Sequence, residues 1–465
     1  MAMDVAALGP EVSVSEPSDG YVGTLGVRPL HAPVGATVNV TGDGFAPGSD
    51  VQLVWRTVKG SWKTDDGDYN GRDYSLAAYE IARIKTDDAG RFSHHFAVPE
   101  DFGFAHDVVV QQGNRLLTQS AFNVDMTVKL SPTRGPVGTP ITVEVQGIGW
   151  RQMQNSWMLL YDNKYTGWVS AVTTRGSARF TIPAAGRRGR HVVEMLHGDF
   201  TFPYRNMQQS PEPDRPRFVK YFEVTRGAPV LPIPPQQQSQ DKVRRLPAAG
   251  TLSVTPKFAP VGTPVSVLGP RFAPGQELEL KWGTVTGNRV GTNAGWEETW
   301  RVIATARADS AGRAEFHFKV PDDLGGAHTL LVEDRAAKQQ GSFWTVPSAL
   351  PLDASRGPAG TQFNLHLKGV GWTETANIYT VVYDNNYIGY ACGFNSQGDV
   401  QIAMQATGEP GWHFIDLYPA IYKGRESRPL NFRVPQLTYE ADHPAEDLPR
   451  FRFAFLVTGV ARPLR

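Results

Sequence analysis

The sequence predicts an all-β protein built from four tandem β-sandwich modules in the order A-B-A-B. Three observations lead to this fold class: a motif that recurs four times, apolar residues that alternate with a period of two after each copy, and marks that separate two module types. No stretch shows a sustained 3.6-residue period with helix caps. Gly and Pro number 47 and 35 among 465 residues, which suits a β protein with many turns.

The recurring motif is Pro-x-Gly followed by Ala or Thr. Its copies are PVGA at 33–36, PVGT at 136–139, PVGT at 260–263 and PAGT at 358–361. Alternating apolar residues follow each copy, such as Val38 and Val40 after the first. This period is typical of a strand with one buried face, so each copy predicts the same strand in a separate module.

Two further motifs are each confined to one module type: FAPG at 45–48 and 272–275 in the A modules, and Tyr-Asp-Asn at 161–163 and 383–385 in the B modules. From Gly90 onward the two halves match at a constant offset of 222 residues, which indicates a duplicated pair of modules. The first A module carries five extra residues between Trp55 and Gly90. Because insertions collect in exposed loops, we expect the halves to differ there on the surface.

These marks place the predicted boundaries along the chain. They are an N-terminal extension at 1–24, module A1 at 25–125, module B1 at 126–226, a stiff Pro/Gln-rich linker at 227–249, module A2 at 250–347, module B2 at 348–435 and a C-terminal extension at 436–465. The extension contains one more strand, with Phe451, Phe453, Phe455 and Val457 on one face. An apolar face of this kind must be covered, either by this chain or by strand exchange with a second subunit.

The succession of Pro-x-Gly-Thr, alternating strand, Gly-x-Gly-Phe or Gly-Trp, Asp-x-x-Gly, and Gly-x-His before a final apolar strand resembles bacterial immunoglobulin-like domains. Its opening is most similar to the IPT/TIG group. The resemblance covers all of the chain except the termini and the linker. It implies immunoglobulin-like sandwiches that serve surface display, spacing, adhesion or the accompaniment of a secreted enzyme, since this fold hosts unrelated tasks.

Composition excludes several classes of function. The 46 basic and 46 acidic residues balance, so no overall field attracts nucleic acid or an anionic membrane. The single cysteine, Cys392, excludes an intrachain disulfide and a multi-cysteine zinc site, and we expect it to be a small core residue. The sequence contains no run of 18 apolar residues, so it predicts no transmembrane segment. No apolar signal segment follows Met1. The resemblance implies an extracellular or cell-surface protein, so we expect that a native leader has been removed before the opening Met-Ala-Met-Asp.

One histidine recurs in every module, at the start of a strand: His106, His191, His328 and His413. A metal ligand or an acid–base group is one interpretation. The other is a buried histidine that ties the corner of the strand to nearby backbone, as a tyrosine does in related sandwiches. Because both module types contain it, we favour the structural role.

The strongest ligand-site candidate is the Tyr-Asp-Asn-x-Tyr-x-Gly-aromatic motif of the B modules. Its residues are Tyr161, Asp162, Asn163, Tyr165 and Trp168 in B1, and Tyr383, Asp384, Asn385, Tyr387 and Tyr390 in B2. Asp-Asn between strands is good turn chemistry. Exposed aromatic rings beside Asp and Asn are also suited to stacking on sugars and binding their hydroxyls, so both interpretations stay open.

An acidic loop in the insertion of A1 is a candidate calcium site. Asp66, Asp68 and Asn70 place oxygen ligands at alternate positions, as in the first half of a calcium-binding loop, and Asp73 or Glu80 could complete the site. The twelfth position holds Ala77 where an EF-hand has an acid. The alternative is an acidic turn in solvent, and no cofactor is required.

We expect a non-catalytic protein. The chain has no Gly-x-Ser-x-Gly elbow, His-Glu-x-x-His pair or phosphate loop, and the equivalent acids Glu194 and Asp416 lie in separate modules. The leading hypothesis is a spacer, adhesin or assembly subunit that contacts other surface proteins or its own copies. The alternatives are a carbohydrate-binding array, with glycans as partners, or an accessory region of a secreted hydrolase. We expect no nucleic-acid partner.

Overall fold

The computed structural model describes residues 7–16, 20–65, 67–199, 201–209, 217–238, 250–288, 295–334, 338–422 and 432–459. Its regular structure consists of 33 β-strands and three single-turn 3₁₀ helices at Met207–Gln209, Pro235–Gln237 and Phe394–Ser396. The all-β prediction is confirmed. The same pair of sheets occurs four times, one sheet with three strands and the other with five on its main path.

Each module is an immunoglobulin-like sandwich in which the two sheets enclose one apolar core. The strands of A1 are β1 Thr24–Arg28, β2 His31–Pro33, β3 Thr37–Asp43, β4 Asp50–Asp65, β5 Asp68–Lys85, β6 Phe92–Ala97, β7 Phe104–Gln112 and β8 Arg115–Asp125. The strands of B1 are β9 Thr127–Ser131, β10 Arg134–Gly135, β11 Pro140–Gln146, β12 Trp157–Tyr161, β13 Lys164–Val169, β14 Ala178–Pro183, β15 Gly189–Asp199, β16 Phe202–Pro203 and β17 Phe218–Val224.

The second half repeats this arrangement. The strands of A2 are β18 Ser253–Thr255, β19 Phe258–Ala259, β20 Pro264–Gly269, β21 Glu277–Asn288, β22 Gly295–Arg307, β23 Ala314–Lys319, β24 Gly326–Glu333 and β25 Lys338–Thr345. The strands of B2 are β26 Ser348–Ala349, β27 Arg356–Gly357, β28 Gln362–Lys368, β29 Ile378–Tyr383, β30 Asn386–Cys392, β31 Val400–Gln405, β32 Gly411–Ala420 and β33 Phe451–Val457. In every module a short strand pairs in parallel with the last strand, and the remaining pairs are antiparallel.

The strand of the predicted C-terminal extension is the last strand of B2. β33 pairs antiparallel with β32, with Phe455 opposite His413, just as Phe222 of β17 lies opposite His191 in B1. The predicted apolar face is buried and completes the core of this chain's own module. The boundary at residue 435 was therefore wrong. The long connection 421–450 separates β33 from the rest of its sheet in sequence and hides the repeat.

The two segments expected to be extensions or spacers pack on modules where they are described. The N-terminal segment runs along β5, with Val12 N–H donating to Ala78 O at 2.9 Å. Beyond B1, Val230 N–H donates to Val137 O at 3.0 Å, and Gln238 exchanges two hydrogen bonds with the backbone of Arg452. The described part of the predicted stiff linker therefore lies against both B modules.

The two B modules face each other through equivalent surfaces. The rings of Tyr165 and Tyr387 lie 6.2 Å apart, and Arg187 forms an ion pair with Glu409. Each pair consists of residues 222 positions apart, that is, of the same position in the two modules. A contact between equivalent positions marks an approximate twofold axis, as in an isologous dimer. B1 and B2 thus form an internal pseudo-dimer, and each carries its own A module.

Candidate functional site at the joint of the B modules

The Tyr-Asp-Asn motif forms the β12–β13 turn in B1 and the β29–β30 turn in B2. Asp162 and Asn163 have φ angles of 50° and 62°, and Asp384 and Asn385 have 48° and 60°. Two consecutive left-handed residues define the turn that best suits the twist of a β-hairpin, and Asn and Asp tolerate it better than other non-glycine residues. The turn interpretation of the motif therefore accounts for the Asp-Asn pair.

Each turn aspartate also holds the recurring histidine of its module. His191 Nδ1 lies 2.5 Å from Asp162 Oδ2, and its Nε2 donates to Arg187 O at 2.6 Å. His413 makes the same contacts, 2.5 Å to Asp384 Oδ2 and 2.8 Å to Glu409 O. Both ring nitrogens face an acceptor, so the protonated ring satisfies both.

The electrostatics of these pairs agree with that geometry. The hydrogen bond to Asp162 raises the pKa of His191. Burial is the largest single influence on His413 and acts to lower its pKa, but the hydrogen bond and charge of Asp384 together with the hydrogen bond to Glu409 O raise the pKa overall. Burial acts to raise the pKa of Asp162, but hydrogen bonds from His191 and Val192 hold it below its usual value. Each pair thus behaves as an ion pair that fastens a turn to a strand.

The A modules use the same histidine without an acid on its ring. His106 lies between Phe102 O at 2.8 Å and Arg56 O at 3.1 Å, and it stacks on Trp55 with ring centroids 4.5 Å apart. His328 has the equivalent partners in A2. Burial lowers the pKa of both histidines. The structural interpretation of the four histidines is confirmed, since each one ties its strand to the carbonyl four residues earlier.

The expectation that the motif's aromatic residues are exposed is wrong for most of them. Tyr161 and Trp168 are 2% and 1% exposed. Tyr161 donates to Ala185 O at 2.8 Å, and Tyr383 donates to Thr407 O at 2.9 Å. Tyr390, the equivalent of Trp168, is 43% exposed and lies beneath the guanidinium of Arg433. Most of these rings therefore pack within the protein and have no exposed face for a ligand.

The remaining motif residues join the two B modules. The hydroxyls of Tyr165 and Tyr387 donate to the backbone carbonyls of Thr201 and Arg433. Asn385 is buried, donates to Pro183 O at 2.8 Å and accepts from Thr166 Oγ1 at 2.7 Å through its own carbonyl, whereas Asn163 is exposed. The motif thus acts differently in the two modules, although its turn geometry is the same.

The hairpin formed by β4 and β5 of A1 reaches into this joint. Tyr69 near its tip is 2% exposed, with its ring 5.1 Å from Phe432 of B2. Trp62 of the same hairpin lies edge-on to Trp168 of B1 at 6.4 Å. These side chains form a shared apolar cluster between three modules. We expected the five-residue insertion to make the two halves differ on the surface. The hairpin that contains it is instead buried at its tip, between the B modules.

A single buried carboxylate accepts hydrogen bonds from groups of A1 and B1 at the joint. Asp442 of the B2 connection is 1% exposed and accepts hydrogen bonds from Trp62 Nε1 at 2.9 Å and from the amides of Val172 and Thr173 at 2.8 and 2.9 Å. The Thr173 hydroxyl supplies a fourth bond at 2.8 Å. Asp442 thus links A1, B1 and B2. No motif in the sequence pointed to it, because its role depends on contacts 270 and 380 residues away.

The acidic loop lies at the tip of the same hairpin. Asp66 lies outside the described residues. Gly67 O accepts from Glu374 N–H at 3.0 Å, and Asp73 pairs with Lys63 at 3.2 Å. In the part of the chain that the structure describes, no three His, Cys, Asp or Glu side chains group as metal ligands. Calcium binding by Asp66, Asp68, Asn70 and Asp73 stays a prediction, which a rise in melting temperature at millimolar Ca²⁺ would test.

Three other residues considered at the sequence level have clear places. Glu194 is held by Arg217 and lies 3.7 Å from Arg205, and Asp416 pairs with Arg452 at 2.6 Å. Each acid is thus neutralised within its own module. Cys392 is exposed on β30, so its expected place in the core was wrong. Period-2 alternation places Cys392 on the outer face of an edge strand.

An exposed aromatic surface on A2 was missed. Trp296 and Trp300 of β22 are 39% and 44% exposed and lie on one face of the hairpin. Their equivalents in A1 are Tyr74, which packs on Phe102, and Ala78, which the N-terminal segment covers. The offset of 222 identifies the equivalent residues but not what covers them.

No helix among the described residues has the length and apolarity to cross a membrane. No protein-family model and no curated protein matches the chain. Solved structures match remotely. Salmonella alpha-2-macroglobulin reacted with methylamine is 9% identical, with 95% of this chain and 31% of that chain covered at a TM-score of 0.19. This chain thus spans about a third of that protein's length.

Two tandem immunoglobulin structures also match. The ICAM-5 D1-D4 ectodomain fragment is 13% identical, with 90% of this chain and 99% of that chain covered at a TM-score of 0.16. Titin Ig tandem domains are 10% identical, with 46% and 98% covered at a TM-score of 0.19. The assignment of the modules as immunoglobulin-like rests on their repeated sheet topology.

Proposed function

We propose that this chain is a rigid, non-catalytic scaffold of a cell-surface assembly, acting as a spacer, an adhesin or a structural subunit. The observation that carries the proposal is the buried hairpin tip, through which A1 is anchored to both B modules. An anchored A module keeps a constant position relative to the B pair, which is what a scaffold requires. The finer assignment of the modules to the IPT/TIG group, and an extracellular location, belong to the same proposal.

The chemistry of the titratable groups supports a non-catalytic role. In the Asp162–His191 and Asp384–His413 pairs both ring nitrogens already have acceptors, so neither ring offers a lone pair to a substrate. Glu194 and Asp416 are bound to arginines of their own modules. The burial of Trp168 weighs against the alternative of a carbohydrate-binding array on the B modules.

The test has two arms. Protease treatment of intact cells of the source organism should digest the chain if it is displayed at the surface, and a cytosolic marker protein should survive. Small-angle scattering of the purified chain should fit one rigid arrangement of four modules. Retention of the chain inside intact cells, or a scattering profile that requires freely jointed modules, would contradict the proposal. Turnover in a screen of polysaccharides and peptides would contradict the non-catalytic part.

A further inference from the structure

A cleft of about 310 Å³ lies beside the buried hairpin tip. Its lining comes from the hairpin of A1, from the loop after β11 in B1 and from Phe432 of B2. Sites for small ligands have volumes of about 300–1,000 Å³ and occur preferentially between domains. The scaffold role does not use this space. The cleft exists only because three modules meet, so no single module could have predicted it.

Rigid aromatic rings form the apolar part of the lining. Tyr74 and Trp150 both lie edge-on to the fully buried Phe102, with ring centroids 5.8 and 6.0 Å away. Trp150 is also 5.1 Å from His106. Rings held in this way are pre-organised, so little entropy is lost when a flat apolar surface stacks on them. The C–H face of a pyranose ring is such a surface.

Polar groups line the rest of the cleft in a pattern that suits hydroxyls. Asn155 donates to Trp150 O at 3.0 Å and also interacts with the Tyr74 hydroxyl. Gln152 adds a second amide. Amides both donate and accept, as sugar hydroxyls do. A purely apolar ligand would displace water from these groups without replacing its hydrogen bonds, which costs free energy.

Arg72 gives the cleft a positive charge. The neighbouring acid on the strand, Asp73, is engaged by Lys63 at 3.2 Å. Among the described residues, no carboxylate lies within ion-pair distance of Arg72. A guanidinium binds a carboxylate through two parallel hydrogen bonds, which adds both strength and direction. The chemistry of the lining therefore favours a sugar that carries a carboxylate.

The loop that faces the hairpin is strained at this point. Met153 has a φ of 74° in the turn closed by the 3.0 Å hydrogen bond from Gln154 N–H to Arg151 O. Glycine is the usual residue at such a position, and strained residues cluster at ligand sites. The equivalent of Met153 in B2 is Thr375, which is not in the left-handed region. In B2 the equivalent of Gln152 is Glu374, whose carboxylate accepts from Tyr69 N–H at 2.9 Å.

We propose that this cleft binds one uronic acid residue of an acidic glycan. The aromatic rings stack on the pyranose, Asn155 and Gln152 bind its hydroxyls, and Arg72 binds its carboxylate. The proposal is independent of where the protein is displayed and of its role as a scaffold. The second half provides an internal contrast, since B2 places an acid where B1 has Gln152.

The test is calorimetric titration of the full chain with tetrasaccharides of galacturonate, mannuronate and glucuronate-containing hyaluronan, and with a glucose tetrasaccharide as the neutral probe. We expect at least one uronate to bind at least tenfold more tightly than the neutral probe. Arg72→Gln should weaken that binding at least tenfold, and Arg72→Lys should have an intermediate effect. Arg83→Gln, an exposed arginine on the same strand, is the matched control and should leave affinity unchanged.

Several results would overturn the proposal. They are no binding of any uronate at millimolar concentration, equal affinity for the neutral probe, and uronate binding that Arg72→Gln leaves intact. Unchanged melting temperatures of the variants will show that they fold. If Arg72→Gln does not fold, Tyr74→Phe replaces it, because it keeps the ring and removes the hydroxyl beside Asn155. Uronate binding that Tyr74→Phe does not weaken would then count against the proposal.

Discussion

The two halves of the chain have the same modules, but their A hairpins have different surroundings. In A1 the hairpin of β4 and β5 buries Tyr69 between B1 and B2, whereas the shorter hairpin of β21 and β22 in A2 leaves Trp296 and Trp300 partly in solvent. Five inserted residues separate the two cases. The A2 hairpin contacts B2, with the ring of Trp296 4.5 Å from that of Trp372, whereas the longer A1 hairpin reaches both B modules.

The largest effect that separates the halves is expected at an equivalent pair of aromatic residues. Trp168→Ala removes a fully buried ring from the three-module cluster and should destabilise B1 by about 4 kcal/mol. Tyr390→Ala, at the matching position in B2, should cost less than about 1 kcal/mol because its ring is half exposed. Urea unfolding of both variants measures the difference. Equal losses would contradict the contrast between the halves.

Next in size is the loss of the carboxylate that closes the joint. Asp442→Ala leaves the amides of Val172 and Thr173 and the indole of Trp62 buried without their acceptor, which should cost about 3 kcal/mol. Asp353→Ala is the control, since Asp353 accepts several hydrogen bonds at an exposed position. Its free energy of unfolding should change by less than about 1 kcal/mol. If the two variants unfold alike, Asp442 does not hold the joint.

A smaller effect is expected where the N-terminal segment covers A1. Val12 and Val14 pack on a cluster that includes Val54 and Val109, so Val12→Asp with Val14→Asp should destabilise A1 by about 2 kcal/mol. Trp300→Ser on the corresponding face of A2 should leave stability nearly unchanged. Calorimetric melting of both variants checks this. A large loss from Trp300→Ser would mean that the A2 face is also covered.

The smallest effect should be the same in both halves. The folded-state pKa of His191 and of His413 is raised, so each contributes stability that is present below about pH 6.5 and is lost as pH rises through the folded-state pKa. His191→Gln and His413→Gln should each cost about 1 kcal/mol at pH 6 and less at pH 9. Chemical unfolding at the two pH values measures this.

The pKa shifts of the A-module histidines have the opposite sign, so these residues serve as the control for the pH dependence. Burial lowers the pKa of His106 and His328, so the folded state disfavours their protonation. The stability of the A modules should therefore fall as pH drops below about 6.5. Histidine substitutions in A and B modules that respond to pH in the same direction would contradict the two assignments.

Local patterns in the sequence were sufficient for the fold. The alternation after each Pro-x-Gly motif places Val38, Ile141, Val265 and Phe363 in four equivalent cores, and all four are buried. The Asp-Asn turns and the strand-corner histidines were also predictable, because their partners lie within the same module. The apolar face of Phe451–Val457 was predicted correctly. Its membership of B2 was not predicted, because a long connection separates this strand from the others of its sheet.

The joint could not be predicted because its contacts link residues that are distant in sequence. Trp168 and Tyr390 have the same sequence context, yet only Trp168 meets Trp62, Phe432 and the backbone of Pro435. Asp442 lies in a polar stretch that has no counterpart elsewhere in the chain. The one available signal was the insertion in A1, whose Trp62 and Tyr69 are unusually large residues for an exposed turn.

Hydrogen–deuterium exchange at the two hairpin tips tests the account most directly. Peptides that cover 68–72 and 295–299 report on the first residues of the return strands of the two hairpins, β5 in A1 and β22 in A2. The buried joint predicts that 68–72 is protected as strongly as the core of B1, because Tyr69 N–H donates to Glu374 and its ring is enclosed. The segment 295–299 should exchange far sooner. Equal and rapid exchange at both tips would contradict the claim that the first hairpin holds three modules together.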